Sequence, residues 1–227
     1  MHNTTLSDLV RRHPLATTFL NEKHIDYCCG GDDLLSHAIG QAGYDQSSFL
    51  SELDEYLAVQ EAKFNPSISE KLYDMSVSEL ITHLEATHHR DERMLIADID
   101  AKLATILSVH YTSHKEELVT VFKLFADLRK ELLVHFVQEE EEVFPLMREK
   151  ATADALAKVE ALEADHEAAG TLIKALIKAT NDFTAPKDSC PTYEAAYALM
   201  KRLVEDVFLH IYKENSILFP LYEKGVA

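Results

Sequence analysis

Residues 135–146 read HFVQEEEEVFPL, and residues 210–221 read HIYKENSILFPL. Aligned without gaps, the two share a histidine, a glutamate four residues later and a closing Phe-Pro-Leu. The other three glutamates of the first copy become Asn215, Ser216 and Ile217 in the second. Surface charge has drifted between the copies while His135–Glu139 and His210–Glu214 have stayed, which singles out those four residues as the ones carrying chemistry. Three or four apart on a helix, side chains have Cβ atoms about 5–6 Å apart, so each imidazole and carboxylate can grip one metal ion.

Helical phase decides which carboxylates point inward. At about 100° per residue with His135 at zero, Leu128, Leu132, Phe136 and Val143 form a stripe from about 20° to 100°, and Glu139 falls inside it. Glu140 and Glu141 swing out of that stripe and read as solvated, and Glu142 lies near its margin. In the second copy Leu203, Val207, Ile211 and Leu218 form the same stripe around Glu214. A buried carboxylate is costly unless it is paired or binds a metal, and no lysine or arginine shares either stripe near these glutamates. The competing reading is a buried histidine hydrogen-bonded to its glutamate, inherited twice. Two further segments add candidates. His166 shares a face with Val159, Leu162, Ile173 and Ile177, and the adjacent His88 and His89 lie on or beside an apolar side. The order is then His, His-x3-Glu, His, His-x3-Glu, with 46 residues from His89 to His135 and 44 from His166 to His210. A duplicated two-helix unit is the simplest account of it.

These residues need helices to hold them, and the composition supplies helices. Glycine and proline number only six each in 227 residues, against plentiful Ala, Leu, Glu and Lys. From Lys71 onward four amphipathic segments are predicted, at about 76–106, 115–149, 152–181 and 191–224, with breaks at VHYTS and NDFTAPKDSC. Modest connections between four such helices argue for an up-down four-helix bundle. The first stretch, 1–63, reads as short helices with Ser7 and Ser48 as N-caps, too small to bury much surface without leaning on a partner. FNPSIS places a linker at 64–70, and 71–227 then form the bundle. A net charge of −17 repels phosphate backbones and anionic lipid, which argues against nucleic-acid and membrane partners. The N-terminus lacks a signal-peptide pattern, so a cytoplasmic location is expected. Three cysteines make no disulfide framework. Cys28 and Cys29 precede two glycines in DYCCGG and, as neighbours, point in different directions. They read either as incidental thiols at a turn or as an accessible thiol that handles a metal or small ligand or docks on the bundle to gate its centre. Cys190 reads as incidental, and His110 and His114 as structural or surface residues.

The four-helix pattern resembles the hemerythrin-like di-iron bundles. The stretch HPLATTFLNEKHIDYCCGG (13–31) resembles the small domain that opens the repair-of-iron-centres, or iron–sulfur cluster repair, family. Together the resemblances run essentially from end to end. They imply an all-α fold, a hemerythrin-like up-down four-helix bundle behind a small N-terminal helical domain. They also imply two non-haem iron ions in an oxo- or hydroxo-bridged centre. Carried over by motif, His89, His135, His166 and His210 would be terminal ligands, and Glu139 and Glu214 would bridge. Arg93, four residues after His89, matches the family spacing, although helical phase sets His88 deeper in the stripe. Classical hemerythrins carry five histidines and two carboxylates, whereas four histidines are well placed here. About twelve positions of two six-coordinate irons less those supplied leaves roughly one open position per iron, which suits exogenous ligands or iron loss.

The function implied is repair of iron–sulfur clusters damaged by oxidative or nitrosative stress, through iron delivery, nitric oxide handling or both. Cys28 and Cys29 would be the catalytic thiols. Partners would be damaged iron–sulfur proteins, nitric oxide or dioxygen, and a second copy of the chain in a homodimer. Such a protein is nitric oxide reducing or iron donating rather than a conventional enzyme. Its alternative is a hemerythrin-like module that binds or senses oxygen or nitric oxide without repair. A metal-free helical interaction protein is a third reading, which the six-ligand pattern disfavours.

Overall fold

In a computed structural model, residues 4–61, 70–149 and 152–225 are described, and among them every named element is helical. The linker expected at 64–70 falls, apart from Glu70, outside the described residues. Contacts divide the chain into two compact units, Ile81–Val207 and the pair Met1–Leu80 with Phe208–Ala227.

Within Ile81–Val207 the helices follow the spacing of apolar residues. Helix α7 (Arg90–Gln138) is one long element with a single non-helical residue, His114, at φ −128° and ψ 33°. Its two arms fold back on one another about that kink. Thr82 and Glu85 meet Arg148, Arg93 meets Glu140, and Asp100 meets Arg129. As the first partner climbs in number the second falls, which is antiparallel pairing. The break expected at VHYTS is therefore one residue wide and later in the chain. Helix persists through Ser113, and His114 Nε2 contacts both carboxylate oxygens of Asp188 at 3.1 Å.

Helix α9 (Ala153–Ala179) starts at Thr152, whose side chain accepts from the Ala155 N–H. It runs antiparallel to the second arm of α7, with Lys158 on Glu142 and Asp165 near His135. Helix α10 (Pro191–Lys213) begins where Tyr193 and Tyr197 donate to Glu117, and it reaches His88 at Asp206. The result is an up-down four-helix bundle. Buried positions recur every three or four residues: Leu118, Val121, Phe125, Leu128 and Leu132 in α7, and Ala155, Val159, Leu162, Ala169, Ile173 and Leu176 in α9. His135 and Glu139 continue the first series, and His166 sits inside the second. The ligand candidates are thus core positions in which a polar residue replaces an apolar one.

In the other unit, α1 (Leu6–Arg12), α2 (Ala16–Glu22), α3 (Leu35–Gln41) and α4 (Gln46–Glu61) enclose Leu9, Phe19, Leu20, Ile39, Phe49 and Leu53. The caps are Thr5, which accepts from Asp8, and Asp45, which accepts from Ser48, rather than Ser7 and Ser48. The helix starts three residues earlier than expected, and the Asp45 carboxylate accepts from both the N–H and the hydroxyl of Ser48. The support expected for this small stretch comes from residues 208–225. Tyr27 packs edge-on against Phe208 and Tyr212, and the Tyr212 hydroxyl donates to the Ser7 carbonyl at 3.2 Å. No helix among the described residues is long and apolar enough to cross a membrane.

Phe125 is a fully buried core residue of the long helix. Phe125→Ala should cost about 3–5 kcal/mol of stability, read from a urea midpoint at unchanged m-value. A loss under about 1 kcal/mol would take Phe125 out of the core.

Candidate metal centre

Three turns of these helices are wider than an α-helix. π-type turns occupy Glu85–His89, Glu139–Val143 and Glu214–Leu218. The first closes on His89, and the other two open on Glu139 and Glu214. In both later turns the N–H of the following phenylalanine reaches back five residues, Phe144 to Glu139 O and Phe219 to Glu214 O. The cause follows directly in the sequence. Pro145 and Pro220 lack an N–H, and their rings crowd the carbonyl four residues back. A turn with one extra residue relieves that clash and leaves the carboxylate's backbone anchored.

Around Glu139 the bundle gathers three histidines. His135 Nε2 lies 3.3 Å from Glu139 Oε1, and His89 Nε2 lies 3.2 Å from Glu139 Oε2. The two oxygens of one carboxylate therefore face two different imidazoles. His166 Nε2 is 3.1 Å from His135 Nε2, and donor atoms of His135, Glu139 and His166 all lie within 4.8 Å of one another. His89 and Glu139 have no exposed surface, and His166 and His135 are buried. Donors roughly 3 Å apart suit adjacent positions on an ion about 2.1 Å from each. In the other unit His210 Nε2 and Glu214 Oε1 are again 3.3 Å apart, both buried. The two sequence repeats thus have one local geometry.

Two known domain families and several relatives match the chain. Residues 48–222 match the hemerythrin HHE cation binding domain. The chain belongs to the hemerythrin HHE family. Residues 2–57 match ScdA_N, a domain of unknown function. Over 215 residues, 95% of this chain and 94% of the relative, it is 28% identical to the iron–sulfur cluster repair protein YtfE of Enterobacter sp. (strain 638). The same identity and coverage hold for the YtfE of Escherichia coli O8 (strain IAI1), and identity is 27% for that of Shigella boydii serotype 4 (strain Sb227). The expected family resemblance and all-α fold are thereby met. A hemerythrin HHE domain implies iron, and the imidazole and carboxylate donors buried around Glu139 fit it, since such donors suit iron.

Among the first pair of histidines, His89 is the one brought to Glu139. His88 turns to Asp206 and Glu92 instead. Phase at 3.6 residues per turn favoured His88, and the π-type turn ending at His89 rotates the register. Glu140 is a second departure, because it is not simply solvated. It accepts from His89 Nδ1 at 2.7 Å and from both terminal nitrogens of Arg93 at 2.7 and 2.9 Å. Burial pushes the Glu140 carboxyl up, but the hydrogen bonds from Arg93 and His89 outweigh it and hold the group below the ordinary glutamate range. Arg93 lies 5.1 Å over the Phe136 ring, and the His89 ring stacks between Phe136 and Phe144. The sequence signal for this support is the His-x3-Arg spacing, which says that Arg93 rides the same face as His89.

The cysteines occupy a tight turn in the first unit. Cys28 is buried and Cys29 exposed, with their sulfurs 3.8 Å apart as free thiols. Asp26 Oδ1 accepts from the Cys28 thiol at 3.2 Å and from the Cys29 N–H at 3.1 Å. The Cys29 contact, burial and the Asp26 charge push the Cys28 thiol well up, so it stays protonated. Gly30 is required here, since a Cβ would come within 2.7 Å of the Asp26 carbonyl. Asn215, next to Glu214, donates to the Cys28 carbonyl at 3.2 Å. His110 stacks edge-on against Tyr193, as a structural residue would. It also lowers the Cys190 thiol to about 7 through a hydrogen bond, a contact the sequence did not reveal.

Glu140→Ala should weaken metal affinity by about 10–100-fold, measured by chelator competition, because it releases His89 Nδ1. Glu141→Ala, which alters an exposed carboxylate, should leave it unchanged. Equal affinities in the two variants would remove Glu140 from the support of His89.

Proposed function

We propose that this chain is a di-iron protein that repairs iron–sulfur clusters damaged by oxidative or nitrosative stress. In this reading His89, His135, His166 and His210 would be the terminal ligands, and Glu139 and Glu214 the shared carboxylates, that would hold two non-haem irons. The observation that carries it is the aim of Glu139, whose two oxygens face His135 and His89 at 3.3 and 3.2 Å. Supporting it are the matching His210–Glu214 pair and the unbroken course of α10 from Pro191 to Lys213, which brings His210 out of the bundle helix itself. The names of the relatives, iron–sulfur cluster repair proteins, supply the task. Bound iron would offer coordination and redox chemistry toward nitric oxide or dioxygen, or would itself be the cargo for a damaged cluster.

The chain's own residues then have distinct duties. Glu140 and Arg93 fix the His89 tautomer with Nε2 toward the metal. Phe136 and Phe144 sandwich the ring and keep water from it. Exposed Cys29 is the thiol that meets iron, nitric oxide or a client protein, while Cys28 stays protonated and holds the turn. The Asn215–Cys28 bond connects that turn to the residue beside Glu214. The protein acts in the cytoplasm as a homodimer, with damaged iron–sulfur proteins as clients. Residues 1–63 form the thiol-bearing domain, joined through 64–70 to the bundle of 71–227.

Iron analysis with the optical spectrum of the oxidised protein tests the centre. About two irons per chain are expected, with Glu139→Ala and Glu214→Ala each falling to half or less and Glu141→Ala unaffected. Equal iron in all four proteins would defeat the assignment. Cys29→Ser should keep its iron and lose repair of a damaged cluster enzyme. Full repair by that variant would make the thiol a bystander.

A further inference from the structure

His88, left over from the iron set, belongs to a second cluster within Ile81–Val207. Its Nδ1 lies 2.9 Å from Asp206 Oδ2 and 3.9 Å from Glu92 Oε1. Donor atoms of all three residues fall within 4.8 Å of one another. Glu92 has no exposed surface and the His88 side chain only 4%, whereas Asp206 is 30% exposed. The pair is again His-x3-Glu along one helix, here completed by a carboxylate from α10.

We propose that His88, Glu92 and Asp206 form a separate mononuclear site for a divalent first-row cation such as Mn2+ or Fe2+. Donors held about 2.1 Å from a common ion stand roughly 3 Å apart when adjacent and about 4 Å when opposite, a range that 2.9 and 3.9 Å span. One imidazole with two carboxylates suits Mn2+, Fe2+ or Zn2+, and the lack of a thiolate among the three disfavours Cu(I). Three protein donors leave open positions on an octahedral ion. With Asp206 at the solvent edge, the ion would exchange readily. This assignment is independent of how the residues around Glu139 are filled.

Equilibrium titration of the iron-loaded full chain with Mn2+, following free hexaaqua Mn2+ by electron paramagnetic resonance, tests it. The parent should bind about one Mn2+ per chain beyond its iron, and Asp206→Asn should weaken that binding by about tenfold or more at unchanged iron content. Glu92→Gln should act in the same direction. No Mn2+ bound by the parent at millimolar ion, or parent-like binding in Asp206→Asn, overturns the proposal. Loss of iron together with manganese in Asp206→Asn overturns it too, since the residue would then serve the iron set. Should the chain prove to hold no iron, the difference of one Mn2+ between parent and Asp206→Asn still reads this site alone.

Discussion

A carboxylate with no exposed surface, Glu139, sits at the centre of a helical bundle. Ionised in an apolar interior it is tolerable only beside compensating donors or a cation. Much of the surrounding structure serves that requirement. The helix register brings His135 onto one oxygen, and a widened turn brings His89 onto the other. A second widened turn anchors the glutamate's own carbonyl. Stacked phenylalanines then hold the His89 ring flat, and a charged pair outside them fixes its far nitrogen.

The bundle and its inward carboxylates were legible in the sequence because they depend on periodicity alone. His135, Glu139 and His166 occupy positions that the three- and four-residue spacing of Leu, Ile and Phe already marks as core. The choice between His88 and His89 was not legible, since it turns on a change of helical pitch at Glu85–His89 that no proline or glycine announces. At Glu139 and Glu214 the pitch change was signalled, by a proline six residues on in each case, but its meaning emerges only with the hydrogen bonds in view. Glu140 was misjudged for a related reason. Phase predicts which way a side chain leaves its own helix, not whether an arginine and an imidazole on a neighbouring helix come to meet it.

The thiol turn shows a different economy of construction. A stretch too small to hold a large core of its own uses residues 208–225 as one of its walls, through Tyr27, Tyr212 and Asn215. Those same residues surround His210 and Glu214. Changes in packing of the cysteine turn and changes at that His–Glu pair therefore share one piece of backbone, the widened turn at Glu214–Leu218.

The hairpin that closes about His114 also bears on how the chain is made. Its contacts run between residues 82 and 148, so both partners of each have been synthesised before α9 has left the ribosome. Glu139 can meet His89 and His135 while the second half of the protein is still being synthesised. The nascent chain then presents a carboxylate flanked by two imidazoles to the metals of the cell well before α10 exists, and the order of translation becomes an order of assembly.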